Sequence, residues 1–315
     1  MNRCQSCWNV ISGPTRVAGY CDACTNRLFF VCDGCHHYKR VGFDTQTLDG
    51  HRLCEVCFAQ VYPLTTWAPA CVSANGPIEE TGSNRCYGIE LETSFSKNHR
   101  MLRGHTVFGA KYDGSVQGME FDSPILYGSA GLKYVRDFCK LAKKLKFRVD
   151  SDCGYHLHLD MRTTSTDQRK AIIYAYFNSY RCWATLVDSY RAYDCRWCQC
   201  PSIRSDYLFR LNPDQFREWR ENASRYEFIN IRALDRHQTI EIRGYQGTLN
   251  PVEICNWIKA HLRFVDSVEN CSQDTLDGYF KSGDSKRWAS LKKLIGPELA
   301  RYYGRKRNEV ANAIC

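Results

Sequence analysis

No stretch of this chain approaches the roughly 20 consecutive apolar residues that a membrane-spanning helix needs, so a helical membrane protein is excluded. The opening MNRCQSCWNV has no apolar run of the kind that leads secretion, and the expectation is a cytoplasmic chain in a reducing compartment. Internal repeats and low-complexity tracts are absent too. No charge of one sign dominates: the net +9 over 315 residues is moderate, compatible with a nucleotide substrate, a nucleic-acid partner or solubility alone. The one basic concentration is Lys133–Arg148. There Leu132, Val135, Phe138, Cys139, Ala142 and Leu145 fall at helical spacing, with Lys133, Arg136, Lys140, Lys143, Lys144 and Lys146 on the remaining surface. This reads as a solvated helix face, because a nucleic-acid stripe would interleave aromatics.

What the sequence has in quantity is cysteine, 19 in all, and enough hydrophobic residues (43%) for a core, a large domain and a small one. In a reducing compartment, paired thiols bind metal more often than they form disulfides. Four CxxC pairs crowd the first sixty residues: Cys4/Cys7, Cys21/Cys24, Cys32/Cys35 and Cys54/Cys57. Two knuckles of this spacing complete one tetrahedral zinc site, so the eight thiols predict two structural Zn²⁺ ions. Pairing in chain order and an interleaved cross-brace (first knuckle with third, second with fourth) both satisfy the spacing. The nearby His36, His37 and His51 read as bystanders. Large aliphatics are few here, so zinc must supply the stability, on the order of 10–16 kcal/mol per structural site. Six Lys/Arg stand against five Asp/Glu in this segment, which argues against a nucleic-acid partner. A protein-binding module and a folding unit that only docks remain the two readings of it.

Residues 63–84, rich in Pro, Gly and small polar residues, predict a linker between a zinc module at 1–62 and a main domain at 85–315. In the main domain, strands and helices mix. A hairpin is predicted from Thr106–Tyr112 and Val116–Asp122 around Asp113-Gly114. Phe147–Asp150 is expected to be a strand beside Tyr155–Asp160. Helices are expected over Asp167–Tyr190, from Pro213 after an Asn212 cap, from Pro251 after Asn250, and over Ser285–Ala311 with a break at Gly296-Pro297. Glu227–Ile231 is a further strand candidate. The sum is an α+β fold, a curved and mainly antiparallel sheet with helices on one face.

Three strand-like segments carry charge on one face only. YGIELE sets Glu90 and Glu92 two apart, YHLHLD does so for His156 and His158, and TIEIR for Glu241 and Arg243. Successive strand side chains point to opposite faces, so each pair shares a side while the intervening aliphatics face the core. Glu120 and Asp122 share a face in the same way. Two carboxylates two residues apart on a strand lie about 6.6 Å from each other. They repel by about 2.5 kcal/mol at an effective dielectric near 20. Hard divalent cations such as Mg²⁺ or Mn²⁺ remove that cost, and the added histidines shift preference toward Mn²⁺, or toward Zn²⁺ in a small site. The Arg243 fork cannot ligate metal and suits phosphate or carboxylate. Together these groups fit nucleotide-dependent phosphoryl transfer. A salt-bridged surface strand explains any single pair, but not three pairs with Glu120.

YGIELETSF, KYDGSVQGMEFDSPILYGSAGL, CGYHLHLD and TIEIRGYQGTLN, in this order, resemble the amidoligase family of the glutamine synthetase / glutamate–cysteine ligase superfamily. The resemblance spans roughly 85–270 and leaves the cysteine-rich segment outside. It implies a glutamine synthetase-like sheet that binds ATP with Mg²⁺ or Mn²⁺. It also implies ligation of a carboxylate to an amine through an acyl phosphate, with a peptide or protein among the candidate substrates. By position it implies Glu90, Glu92, Glu120, His158 and Glu241 as metal ligands. His156, His158, Lys111 and Arg243 would meet ATP phosphates. Arg243, with Glu241 and Glu120, would be catalytic. Lys111 and Asp113 flank the hairpin turn, where Asp113 has either an amine-binding or a purely structural role. Arg162 could reach a substrate carboxylate or simply be exposed. Asn178 and Asn230 read as structural. Cys195, Cys198 and Cys200, with Cys182 upstream, read as ordinary thiols, with a third zinc site or a reactive thiol as alternatives. A metal-dependent hydrolase or phosphatase, and a zinc-ribbon adaptor with an inactive second domain, are the rival functions.

Overall fold

The computed structural model describes residues 3–13, 15–32, 37–40, 45–48, 51–54, 78, 81–94, 108–111, 118–203, 205–281 and 283–314. The chain falls into two compact units, Met1–Thr66 and Trp67–Cys315.

The first unit contains helix α1 (Asp22–Leu28) and strands β1 (Phe29–Val31), β2 (Tyr38–Arg40), β3 (Thr45–Leu48) and β4 (His51–Cys54). The strands pair as two antiparallel two-stranded sheets, β1 with β2 and β3 with β4. Its apolar core is small: among the described residues only Cys4, Cys24, Phe30 and Cys32 are buried hydrophobics. The sulfurs of Cys4, Cys7, Cys21 and Cys24 lie within 4.8 Å of one another. The Cys21 N–H donates to Cys4 Sγ at 3.4 Å, and the Cys7 and Cys21 sulfurs are 3.6 Å apart. Four thiols at this separation could hold one Zn²⁺. The first knuckle therefore joins the second, and the cross-brace alternative does not hold for this site. Of the second predicted site, Cys32 is buried. Cys54 belongs to β4, and Cys35 and Cys57 lie outside the described residues.

The second unit is built on a six-stranded antiparallel sheet of order β6-β7-β5-β8-β10-β9. Its strands are β5 (Tyr87–Ser94), β6 (Gly109–Lys111), β7 (Gly118–Asp122), β8 (Gly154–Asp160), β9 (Ile229–Asn230) and β10 (Thr239–Gln246). Tyr87, Ile89, Leu91, Met119, Phe121, Tyr155, Leu157, Leu159, Ile240 and Ile242 form one buried aliphatic and aromatic face. Helices α2 (Gly128–Lys144), α3 (Thr166–Ala184) and α6 (Pro251–Val268) add their apolar stripes to the same core. Between the last two come α4 (Pro213–Glu221) and α5 (Ala233–His237), and the chain closes with α7 (Gln273–Phe280), α8 (Asp284–Ile295) and α9 (Pro297–Ile314). No helix among the described residues is long and apolar enough to cross a membrane.

Local chemistry sets the helix ends. Ser165 and Gln168 form a reciprocal capping box on α3, as do Asn212 and Gln215 on α4. Asn250 accepts from the Val252 N–H ahead of Pro251 on α6. Gly296, at φ +86°, ends α8, and Pro297 opens α9. Two expectations fail. Phe147–Asp150 is not a strand; it contributes one isolated bridge, Arg148 to Ser94. β8 instead lies between β5 and β10, which take up both of its hydrogen-bonding edges. The helix expected to run to Tyr190 stops at Ala184, and a π-helical turn follows at Tyr190–Asp194. The hairpin appears as β6 paired with β7. Asp113-Gly114 and most of 63–84 lie outside the described residues.

Candidate functional site

The register of the sheet assembles the charged face. On β5, Glu90 stands opposite Asp122 of β7 on one side and His156 of β8 on the other, and Glu92 stands opposite Glu120. On β10, Glu241 stands opposite His158 of β8 and Asn230 of β9. Directly opposed residues bring their Cβ atoms to about 4.5–5.5 Å. The antiparallel pairing thus packs five carboxylates, two imidazoles and a guanidinium into one floor. Half of them are shielded: Glu92, Glu120, His156 and Glu241 are each no more than 6% exposed.

Glu90 is the hub. It faces His156 Nδ1 at 3.0 Å through one oxygen and His158 Nε2 at 3.1 Å through the other. Burial would raise its carboxyl, but His158 and His156 hold it well below the usual carboxylate range. Burial likewise opposes charge on His158, yet Glu90 and Glu241 raise this imidazole above its ordinary 6.5. Thr239 Oγ1, 2.9 Å from His158 Nδ1, fixes the ring from its other side. Glu241 is held by Asn230 Nδ2 at 2.6 Å and by Arg243 Nη1. Against the effect of burial, His158 and Arg243 lower its pKa. Arg243 also donates through Nε to the Trp197 carbonyl at 3.2 Å.

Two groups of potential ligand atoms lie within 4.8 Å: Glu90, His158 and Glu241, and Glu90, Glu120 and Asp122. Oxygen-rich sets with at most one imidazole fit Mg²⁺ or Mn²⁺ better than Zn²⁺. Glu90 belongs to both groups, so one carboxylate could bridge two ions. Asp122 enters the second group although only its place beside Glu120 marked it in the sequence. Glu92 enters neither: it accepts a hydrogen bond from the Gly154 N–H, with His156 Nε2 4.0 Å away.

Of the other predicted residues, Lys111 is placed by its backbone in β6 opposite Glu120, and Asp113 lies outside the described residues. Arg162 forms a two-pronged pair with Asp160 at 2.9 and 2.7 Å, and its side chain is half exposed. Asn178 donates to the Tyr174 carbonyl within α3, a helix contact. Asn230, read as structural from the sequence, touches Glu241 directly.

Sequence reasoning missed Arg191. It is 2% exposed, sits in the π-helical turn, and donates from Nη2 to the Arg243 carbonyl at 3.0 Å. A Cβ built on Gly154 would fall 2.5 Å from Arg191 Nη2, 3.0 Å from His156 Nε2 and 3.1 Å from Glu92 Oε2. The guanidinium therefore lies at the edge of the floor. No periodicity or motif marks this arginine, because the irregular turn that delivers it has no sequence period.

Residues 85–265, more than half of the chain, match the family model described as "Putative amidoligase enzyme". No curated protein matches the chain.

Proposed function

The chain belongs to this amidoligase family, and from that premise we propose that it is an ATP-dependent ligase that joins a carboxylate to an amine through an acyl phosphate. The observation that carries the reading is the pair of ligand groups sharing Glu90, set beside Arg243 on a shielded floor. Glu90, His158 and Glu241 would hold one divalent cation, and Glu90, Glu120 and Asp122 a second. Such cations neutralise the β- and γ-phosphate oxygens of ATP.

The protein's own groups account for the remaining requirements. Arg243 is kept charged: despite burial, Glu241 and Glu90 raise its pKa. Its position, fixed by Glu241 and the Trp197 carbonyl, suits it to meet negative charge developing on the transferred phosphoryl group. His156, beside Glu90, can donate to a phosphate oxygen. The substrate carboxylate attacks the γ-phosphorus, ADP departs, and the amine then displaces phosphate to leave the amide. Burial of the floor limits water, which would otherwise hydrolyse the acyl phosphate.

The test is to incubate the purified 315-residue chain with ATP, Mg²⁺ or Mn²⁺, and arrays of amino acids, short peptides and amines. ADP release that requires both a carboxylate and an amine is the expected result. Phosphate release from phosphoesters without ATP would replace the ligase with the hydrolase reading.

A further inference from the structure

The segment after the π-helical turn, DCRWCQCP, has a chemistry that the phosphate-binding floor does not use. Cys198 N donates to the Cys195 carbonyl at 3.2 Å, so the two cysteines close a tight turn. Such turns bring the first and fourth Cα atoms within about 7 Å, the separation a disulfide can bridge. Arg191 Nη1 points at Cys195 Sγ from 3.4 Å, and Cys198 Sγ lies 2.9 Å from the Arg191 carbonyl oxygen. Arg191 Nε is buried with no hydrogen-bond partner, so its charge is answered chiefly by what lies at its Nη atoms.

The two thiols line a cleft of about 680 Å³ whose walls, among the described residues, also carry Arg181, Arg196 and Arg307 against one acid, Asp284. Cys195 is partly exposed there and Cys198 is buried. A basic wall around an accessible sulfur draws in anions.

We propose that Cys195 and Cys198 form a thiol–disulfide exchange site for anionic low-molecular-weight disulfides, with Cys195 as the attacking thiolate and Cys198 as the resolving thiol. The Cys198 thiol, then Arg191 and the N–H groups of Trp197 and Cys198, hold Cys195 down to about 5 against the opposing effect of burial. Its neighbour is driven the other way: Cys195 and burial push the Cys198 thiol up. That division of labour is the one exchange requires, because the thiolate attacks and the protonated partner waits. Cys195 attacks one sulfur of the incoming disulfide, whose S–S bond breaks. One half leaves as a thiolate and takes a proton from water. Cys198 then loses its proton to solvent and attacks Cys195 Sγ in the mixed disulfide, releasing the second half. Two protein thiols are oxidised by two electrons, and the small disulfide is reduced to two thiols. Closure also removes the thiolate that Arg191 faces, at the edge of the Glu92–His156 floor. The inference does not depend on the ligase reading.

The experiment uses the zinc-loaded 315-residue chain, treated in parallel with glutathione disulfide (anionic) and cystamine (cationic), quenched with iodoacetamide and digested with trypsin. Cleavage after Arg196 separates the two cysteines, so their disulfide appears as peptide 192–196 linked to peptide 197–204, with fragmentation distinguishing Cys198 from Cys200. That linked pair should form at least about tenfold faster with the anionic disulfide. Cys198→Ser should stop at a mixed disulfide on Cys195, and Cys195→Ser should leave Cys198 unmodified. Linkage spread evenly over Cys182 and Cys200, equal rates with the two probes, or no Cys195–Cys198 link in the unmutated chain would each overturn the proposal.

Discussion

At the scale of single residues, the floor separates groups that serve the chemistry from groups that serve the backbone. Arg243 contacts Glu241 and the Trp197 carbonyl, and its side chain is 12% exposed. Arg243→Ala should cut ADP formation about 10³-fold or more, and Glu241→Gln should do so comparably, with circular dichroism unchanged. ADP formation at the parental rate in both variants would show that the assignment of these residues is wrong. Gly244 has a different task. The β10–β8 register slips between Ile242 and Tyr245, and a Cβ on Gly244 would lie 1.8 Å from the fully buried Phe228 ring. Gly244→Ala should therefore destabilise the fold by about 1–3 kcal/mol, measurable in urea unfolding. An unchanged midpoint would mean that the ring moves freely.

At the scale of elements, β5, β8 and β10 make the floor a proton-linked unit. His158 has its pKa raised, so its pairing stabilises the metal-free protein fully below about pH 6.5. That contribution is lost as pH rises through the higher folded value. Glu90 and Glu241 are shifted down, so their contribution is present above about pH 4.5 and is lost as pH falls through their folded values. A cation that takes His158 as ligand must displace its proton, so Mn²⁺ should bind more tightly at pH 8 than at pH 6. Thermal shift at fixed Mn²⁺ reads this as a larger rise in Tm at the higher pH. Glu90→Gln, which weakens both ligand groups, should remove most of that rise. Equal shifts at both pH values would exclude His158 as a ligand. These elements were legible in the sequence because strict alternation around Ile89, Leu91, Leu157, Leu159, Ile240 and Ile242 fixes which side chains share a face. The strand order was less legible. Phe147–Asp150 has strand-like composition, but both edges of β8 are already paired, and no local pattern reports that competition.

At the scale of the whole molecule, the two units draw stability from different sources. The larger has a continuous buried core running from Ile78 to Tyr303, while the smaller has four clustered thiols and, among its described residues, few buried apolar side chains. Chelation should therefore release zinc and unfold the first unit while the second keeps its own thermal transition. Cys21→Ser should lower bound zinc by one equivalent, measured by elemental analysis. Zinc content unchanged by this substitution would remove the four-cysteine site.

The sequence by itself determined the chemistry of each strand face, the CxxC knuckles, the helix caps at Asn212 and Asn250, and the amidoligase resemblance later matched over 85–265. These are local properties, set by side-chain alternation, by thiol spacing and by one or two capping atoms. Tertiary structure alone decided which carboxylates meet. Register puts Asp122 with Glu90 and turns Glu92 toward the Gly154 N–H. The slip at Gly244 returns Tyr245 to the core beside Tyr155. A π-helical turn delivers Arg191 to the Arg243 carbonyl. Each of these depends on contacts between segments distant in the chain, where neither periodicity nor residue spacing carries information.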